Sequence, residues 1–239
     1  MVPHFLVDPD AVHGDSVALG PEEAWHLVGV LRARPGDRVT VADGTGAVYT
    51  TRIARVQQDA VTLAVVAVEH VTAIRPRLTV VHALPKGRKL DDVVQRLTEL
   101  DVDRLIPVRS ARTEMELTPE KADKVVARWR AVALAAAKQS RRVRPLEIAP
   151  VSTWTAAFAE GLPGVICWEE AVSPLREHLE GLLDADAVVL GIGPEGGLTR
   201  EEVEATGLPA CSLGPTILRT QTAALVAATA LLTLLGRIG

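Results

Sequence analysis

The sequence predicts an α/β protein in which a small β-rich domain precedes a mainly parallel sheet covered by helices. Three observations lead there. Between Pro35 and Val68, β-prone runs are short, closely spaced and separated by turn residues. After Arg77, short Val/Ile/Leu runs alternate with stretches of helical periodicity, the pattern of parallel strands lying between helical layers. A chain of 239 residues also has room for two domains.

In chain order, Pro21 to Arg32 sets Trp25, Val28 and Leu31 at helical spacing, which predicts one short helix plugging or flanking a small barrel. A Pro35-Gly36-Asp37 turn then leads into VTVAD, a Gly44-Thr45-Gly46 hairpin signal, AVYTTRIARV and, after a polar break, VTLAVVAV. His70 to Pro76 reads as a linker, so the expected domains are 1–72 and 76–239. In the second domain the expected strands are Leu78–Leu84, Arg104–Val108, Gly164–Trp168, Ala187–Gly191 and Ala210–Leu213. Helices are expected near Leu90–Leu100, Pro119–Gln139, Pro174–Leu183, Thr199–Thr206 and Thr222–Leu235. The last has few polar positions on any face, which implies burial on all sides or against a second subunit.

Hydrophobic residues at 48% and charged residues at 23% exclude intrinsic disorder, collagen and coiled coil. The longest uncharged apolar run, Thr222 to Leu235, is shorter than the ~20 residues that span a bilayer. MVPHFLVDPD lacks the pattern of a signal peptide, so a cytoplasmic protein without membrane contact is expected. Two cysteines, Cys167 and Cys211, make no disulfide framework and read as small buried strand residues. The histidines stand apart, so no metal is expected. A GxSxG nucleophile is also absent.

The net charge of −4 hides an uneven distribution: −3 over residues 1–75, +7 over 76–145 and −8 over 146–239. From Lys124 to Arg144 there are seven basic residues and no acid. From charge alone, this stretch is either a face for a phosphate backbone or a solvated helix face with counter-charges from elsewhere in the fold.

Gly191-Ile192-Gly193-Pro194-Glu195-Gly196 matches GxGxxG in form, after a predicted strand and before a helix. Pro194 and Glu195 occupy its middle, where amides would meet a pyrophosphate and a carboxylate would repel it, and the next strand ends without the acid that a ribose needs. A dinucleotide site is therefore set aside. Read for itself, GPEGGLTREEVE is a Gly-rich turn entering a helix capped by Thr199 and Glu202. A second loop, Leu213 to Thr222, again leaves a strand and enters a helix. Two such loops at the carboxyl ends of strands form either a ligand crevice or a pair of tight structural turns.

GPEGGLTREEVE followed by LGPTILRTQTAALVA resembles the paired C-terminal motifs of the SPOUT methyltransferases, in the branch that methylates N3 of a uridine in small-subunit ribosomal RNA, the ribosomal RNA small subunit methyltransferase E family. HLVGVLRARPGDRV with VADGTG, LPKGRKLDDVVQRLTELDVDRLIPVRSART and RWRAVALAAAKQSRRVRPLEI extend the resemblance in order over nearly the whole chain. It implies a PUA-like N-terminal β-barrel and an α/β domain tied in a trefoil knot. It further implies S-adenosylmethionine as cofactor, a homodimer packed through C-terminal helices, and 16S rRNA as partner, within the assembled small ribosomal subunit. Four departures stand out. Asp101 takes the place of a turn glycine, Gln221 that of a glutamate in the usual LRTET, and Thr216 that of a frequent arginine; His4 also stands where arginine is common.

The resemblance implies cofactor contacts from Leu190, Gly191, Gly193, Pro194, Glu195, Gly196 and Gly197 in the first loop. From the second it implies Leu213, Gly214, Ile217, Leu218, Thr220, Thr222 and Ala223. Arg219 is the candidate for holding the uridine anion by paired donors, and Glu195 for orienting the cofactor or accepting a proton. Arg32, Lys86, Arg88, Arg112, Lys138, Arg141 and Arg142 are the expected RNA contacts. A methyltransferase acting on another RNA base or ribose, and a non-catalytic RNA-binding protein, are the alternatives.

Overall fold

The computed structural model describes residues 2–57, 59–115 and 117–239. The chain packs as two compact units, one of Met1–Ala73 with Ala137–Pro145, the other of Ile74–Ala136 with Leu146–Gly239. Residues 137–145, which the sequence groups with the second domain, thus pack with the first unit.

The first unit contains β1 (His4–Leu6), β2 (Val12–His13), β3 (Ser16–Leu19), α1 (Pro21–Ala24), β4 (Arg38–Ala42), β5 (Ala47–Val56) and β6 (Val61–His70). The strands form one sheet in the order β1-β4-β5-β6-β3-β2, with β1 parallel to β4 and the other pairs antiparallel. Because β1 and β2 remain separate edges, the sheet is a curled half-barrel. Alternate residues Val39, Val41, Ile53, Val61 and Leu63 point into its core beside Phe5, Val17 and Leu19. Ala24 and Leu27 pack on that core, and burying a leucine such as Leu27 fully stabilises the fold by roughly 1.5–3 kcal/mol.

The expected inward face of the Pro21–Arg32 helix is corrected here. After α1 the chain widens into a π-helical turn, Trp25–Val30, so the 3.6-residue spacing no longer applies. Trp25 is 68% exposed and Leu31 46%, while Leu27 takes the inward position. The Gly44-Thr45-Gly46 turn forms as expected between β4 and β5. Its preceding Asp43 accepts hydrogen bonds from the Thr45 and Ala47 amides and from the Thr45 and Tyr49 hydroxyls.

The second unit contains β7 (Arg77–Ala83), α2 (Lys89–Glu99), β8 (Arg104–Arg109), α3 (Pro119–Ser140), β9 (Glu147–Ile148), β10 (Ser152–Thr153), α4 (Trp154–Ala157), β11 (Gly164–Cys167), β12 (Ala187–Ile192), α5 (Arg200–Ala205), β13 (Ala210–Cys211) and α6 (Thr220–Leu234). The last residues of α3 belong to the first unit. Its sheet is parallel throughout, in the order β10-β8-β7-β12-β11-β13, with β9 beside β8.

Strand alternation explains why both faces are apolar. Leu78 and Val80 of β7 join the core with α2, α3 and α6, while Val81 and Ala83 join the core with α4 and α5. The helix expected over Pro174–Leu183 is only a 3-10 turn, Leu175–His178. Gly181, at φ +77°, interrupts the leucine spacing that suggested it.

Candidate active site

Strands β11, β12 and β13 end side by side at Cys167, Ile192 and Cys211. The segments leaving them, 168–169, 193–197 and 212–219, together with Thr220 and Ala223 of α6, enclose a cleft of about 450 Å3. This is the carboxyl edge of the parallel sheet, where loops diverge and ligands bind.

The first loop is fixed on three sides. The Gly197 amide donates to the Pro194 carbonyl at 3.0 Å. Gly197 has φ +73°, and a Cβ there would lie 2.0 Å from Glu169 Oε1, so only glycine fits without strain. Arg112 Nη1 donates to the Gly196 carbonyl at 2.9 Å. Thr199 and Glu202 form the expected capping box at the start of α5.

Glu195 reaches away from its own turn. Its carboxylate accepts from the Lys86 amide at 3.1 Å and from Lys89 Nζ at 2.7 Å. Burial alone would push its carboxyl up, but the Lys89 ammonium and the backbone donors hold it below the usual carboxylate range. It is therefore ionised at neutral pH and already committed to a lysine, which makes it a latch on the loop between β7 and α2 rather than a free base.

The second loop is fastened through α6. Thr220 Oγ1 donates to the Gly193 carbonyl at 2.6 Å and lies 3.4 Å from His82 Nε2. His82 is fully buried at the end of β7, with Nδ1 2.6 Å from the Ala83 carbonyl. Burial drives its pKa down to about 4, so it is neutral at pH 7, with Nδ1–H as the donor and Nε2 facing the hydroxyl. Sequence reasoning missed His82, because nothing in its local pattern marks a residue whose partner lies 138 positions away.

Arg219 is the N-cap of α6 and is exposed. Among the described residues its guanidinium has no hydrogen bond or ion pair, so the carboxylate partner that a purely structural arginine would have is not there. A cation at the positive end of a 15-residue helix is unfavourable by itself and becomes favourable when an anion is delivered between them.

Residues 73–232 match the family model described as an RNA methyltransferase domain, and residues 19–66 match that of an RNA methyltransferase PUA domain. The ribosomal RNA small subunit methyltransferase E of Mycobacterium bovis is 32% identical over 232 residues, covering 93% of this chain and 88% of that protein. The protein of the same name from Bacillus subtilis is 31% identical, covering 88% and 87%. This chain belongs to the ribosomal RNA small subunit methyltransferase E family. The Neisseria gonorrhoeae family member, solved bound to S-adenosylmethionine, superposes with a TM-score of 0.82 at 28% identity over 98% of each chain. A Legionella pneumophila protein solved with the same cofactor gives 0.82 at 27%, again over 98% of each.

Of the residues that the family resemblance assigns to the cofactor, Gly193, Pro194, Glu195, Gly196, Gly197, Leu213, Gly214, Ile217, Leu218, Thr220 and Ala223 line the cleft. Leu190, Gly191 and Thr222 do not. Leu190 is buried in the strand, and Thr222 is exposed on α6. Gly191 serves packing instead, since a Cβ there would lie 2.5 Å from Ile166 Cδ1. The cleft adds Cys167, Trp168, Glu169 and Cys211, which the motifs did not indicate.

Among the expected RNA contacts, Arg32 and Arg141 are exposed, both in the left-handed region. Lys86 pairs with Glu114, Arg88 with Asp91 and Lys138 with Glu23. Arg112 is taken by the Gly196 carbonyl. Arg142 is corrected: it is 9% exposed, because Arg141 ends α3 in the left-handed region and the Arg142 amide turns back to the Ala137 carbonyl.

The departures from the family pattern also find places. Asp101 adopts φ +62° where the family has glycine, and Arg237 bonds both its carbonyl and its carboxylate. Gln221 lies off the cleft, its Oε1 enclosed without a hydrogen-bond partner among the described residues. His4 bonds Thr40 in the first unit, and burial together with the Arg141 charge holds its pKa below the ordinary value.

Proposed function

We propose that this protein is an S-adenosylmethionine-dependent methyltransferase acting on N3 of a uridine in 16S ribosomal RNA, within the assembled small subunit. The observation that carries the reading is Arg219, without a partner among the described residues, at the rim of a cleft shaped by the two family loops. The residues present fit the cofactor. The cleft volume is in the range of small-molecule sites, and Ile217, 88% exposed within the lining, offers apolar surface for a ligand to cover. Gly193, Gly196, Gly214 and Leu218 would hold it. When bound, S-adenosylmethionine supplies a methyl group on a sulfonium, already a good electrophile.

The chain's own work concerns the uridine. N3 is a poor nucleophile until its proton passes to solvent, and the resulting charge spreads onto O2 and O4. Arg219 donates to that charge with a planar pair of N–H groups, reinforced by the α6 N-terminus. Glu195, held by Lys89 and the Lys86 amide, positions the first loop rather than taking the proton. In this reading the C-terminal segment is tied in a trefoil knot, and Thr220, bonded to Gly193, fastens the second loop to the first. A homodimer through α6 and a cytoplasmic location complete it. Among the described residues no group of three or more His, Cys, Asp or Glu is placed to hold a metal, and no helix is long and apolar enough to cross a membrane.

The test is Arg219→Ala. Loss of a major donor to the developing charge lowers single-turnover methylation of small-subunit RNA by roughly two to three orders of magnitude, with cofactor affinity nearly intact. Arg219→Lys restores only part. Near-normal turnover in the alanine variant, or loss of cofactor binding together with thermal stability, overturns the assignment.

A further inference from the structure

Cys167 and Cys211, the only cysteines of the chain, end adjacent parallel strands in direct register, and their sulfurs are 3.9 Å apart. Both line the cofactor cleft. Neither has a part in the methyl-transfer reading above. Strand spacing of ~4.8 Å puts such a pair within the Cα separation that disulfides span. They form the last pair of β13, a strand of only two residues, so the loop beyond it can absorb the remaining closure of the sulfurs to ~2.05 Å.

We propose that Cys167 and Cys211 are a reversible dithiol–disulfide site in the wall of the cofactor cleft, closed by hydrogen peroxide and reopened by thiols, whose oxidised form binds S-adenosylmethionine more weakly. Cys167 is half-buried and faces the cleft, whereas Cys211 is fully buried, so the oxidant meets Cys167 first. Its sulfur attacks one peroxide oxygen, the O–O bond breaks, and the products are a sulfenic acid and water, the thiol proton leaving with the second oxygen. The Cys211 sulfur then displaces that hydroxyl: an S–S bond forms, the S–O bond breaks, and the Cys211 proton departs in a second water. Two thiols have been oxidised and one peroxide reduced. Two equivalents of an external thiol reverse the change by exchange.

The consequence follows from what each cysteine leads into. Trp168 and Glu169 follow Cys167, and Ser212 to Gly214 follow Cys211; all of them line the cleft. Drawing the two sulfurs together draws these segments together across the space that the cofactor needs.

The experiment uses the full chain and hydrogen peroxide, and rests on the cofactor reading only in the two measurements that add S-adenosylmethionine. Expected after treatment are a denatured monomer lighter by two hydrogens, loss of both titratable thiols, and recovery of both with dithiothreitol. Saturating S-adenosylmethionine slows the loss. Calorimetric affinity for S-adenosylmethionine falls at least tenfold on oxidation and returns on reduction, while Cys167→Ser and Cys211→Ser each keep their own untreated affinity through the treatment. Retention of both thiols, addition of oxygen without loss of two hydrogens, or crosslinking between chains overturns the site. A disulfide formed with unchanged affinity overturns its effect on the cleft. Failure of the reduced protein to bind S-adenosylmethionine would instead refute the proposed function, because the thiol count and the mass report the disulfide independently of the cofactor.

Discussion

His82 sets a stability term that is readable as a pH profile. Its folded pKa is about 4 against an ordinary 6.5, because burial disfavours the imidazolium. Between those values the unfolded chain binds a proton that the folded chain does not, so stability rises with pH from 4 to 6.5 and is lost in the other direction. The full difference is about 3 kcal/mol. His82→Gln, neutral throughout, is expected to lose about that much less unfolding free energy, measured in denaturant, between pH 7 and pH 4 than the unmodified protein. Parallel acid limbs would contradict the assignment. At this scale the sequence was legible where function repeats a motif and silent where it depends on pairing across the fold. Arg219, Gly193 and Leu218, expected from their loops, do line the cleft. His82 with Thr220, and Cys167 with Cys211, became pairs only once strand register brought them together.

At the scale of elements, α6 shows two different faces. Ala224, Ala227, Ala228, Leu231 and Leu232 are buried in the core of the second unit. Val226 and Leu234 remain 41% and 40% exposed, in a stripe with Thr222, Thr229 and Thr233. The sequence-based alternatives, burial on all sides or against a second subunit, therefore reduce to an uncovered stripe in the single chain with Val226 and Leu234 as its apolar members, which supports the homodimer reading. If a second copy covers it, Val226→Glu with Leu234→Glu is expected to shift the light-scattering mass from twice the chain mass to 25.5 kDa, with helix content retained. An unchanged dimer mass would remove α6 from the interface. Long elements such as α2, α3 and β7 were legible because burial on a face repeats with their period. The two-residue strands β9 and β10 were not, since two residues carry no periodicity. The π-helical turn at Trp25–Val30 was misread because it obeys a different period.

At the scale of the whole molecule, the basic middle of the sequence turns out to be largely spent on the fold. Arg128 pairs with Asp91, Arg130 donates to the Ile148 carbonyl, Lys138 pairs with Glu23, and Arg144 donates to the carbonyls of Thr45 and Val71. Arg142 is buried. The two readings of that block left open by charge alone therefore divide by residue: most of its cations are met from within the protein, while Lys124 and Arg141 stay exposed, Arg141 where α3 ends. Each phosphate contact contributes about 0.7–0.9 to the slope of log affinity against log salt, depending on whether the RNA is single or double stranded. Arg141→Gln is accordingly expected to flatten the salt dependence of RNA binding by about one contact while leaving the melting temperature within a degree or two. Arg142→Gln is expected to do the reverse, lowering the melting temperature with the slope of the remaining folded protein unchanged, because the removed charge lies inside the fold. Equal flattening by both substitutions would mean that Arg142 leaves its buried position to meet RNA, and no flattening by either would assign the phosphate contacts to other exposed cations such as Arg32 and Lys124.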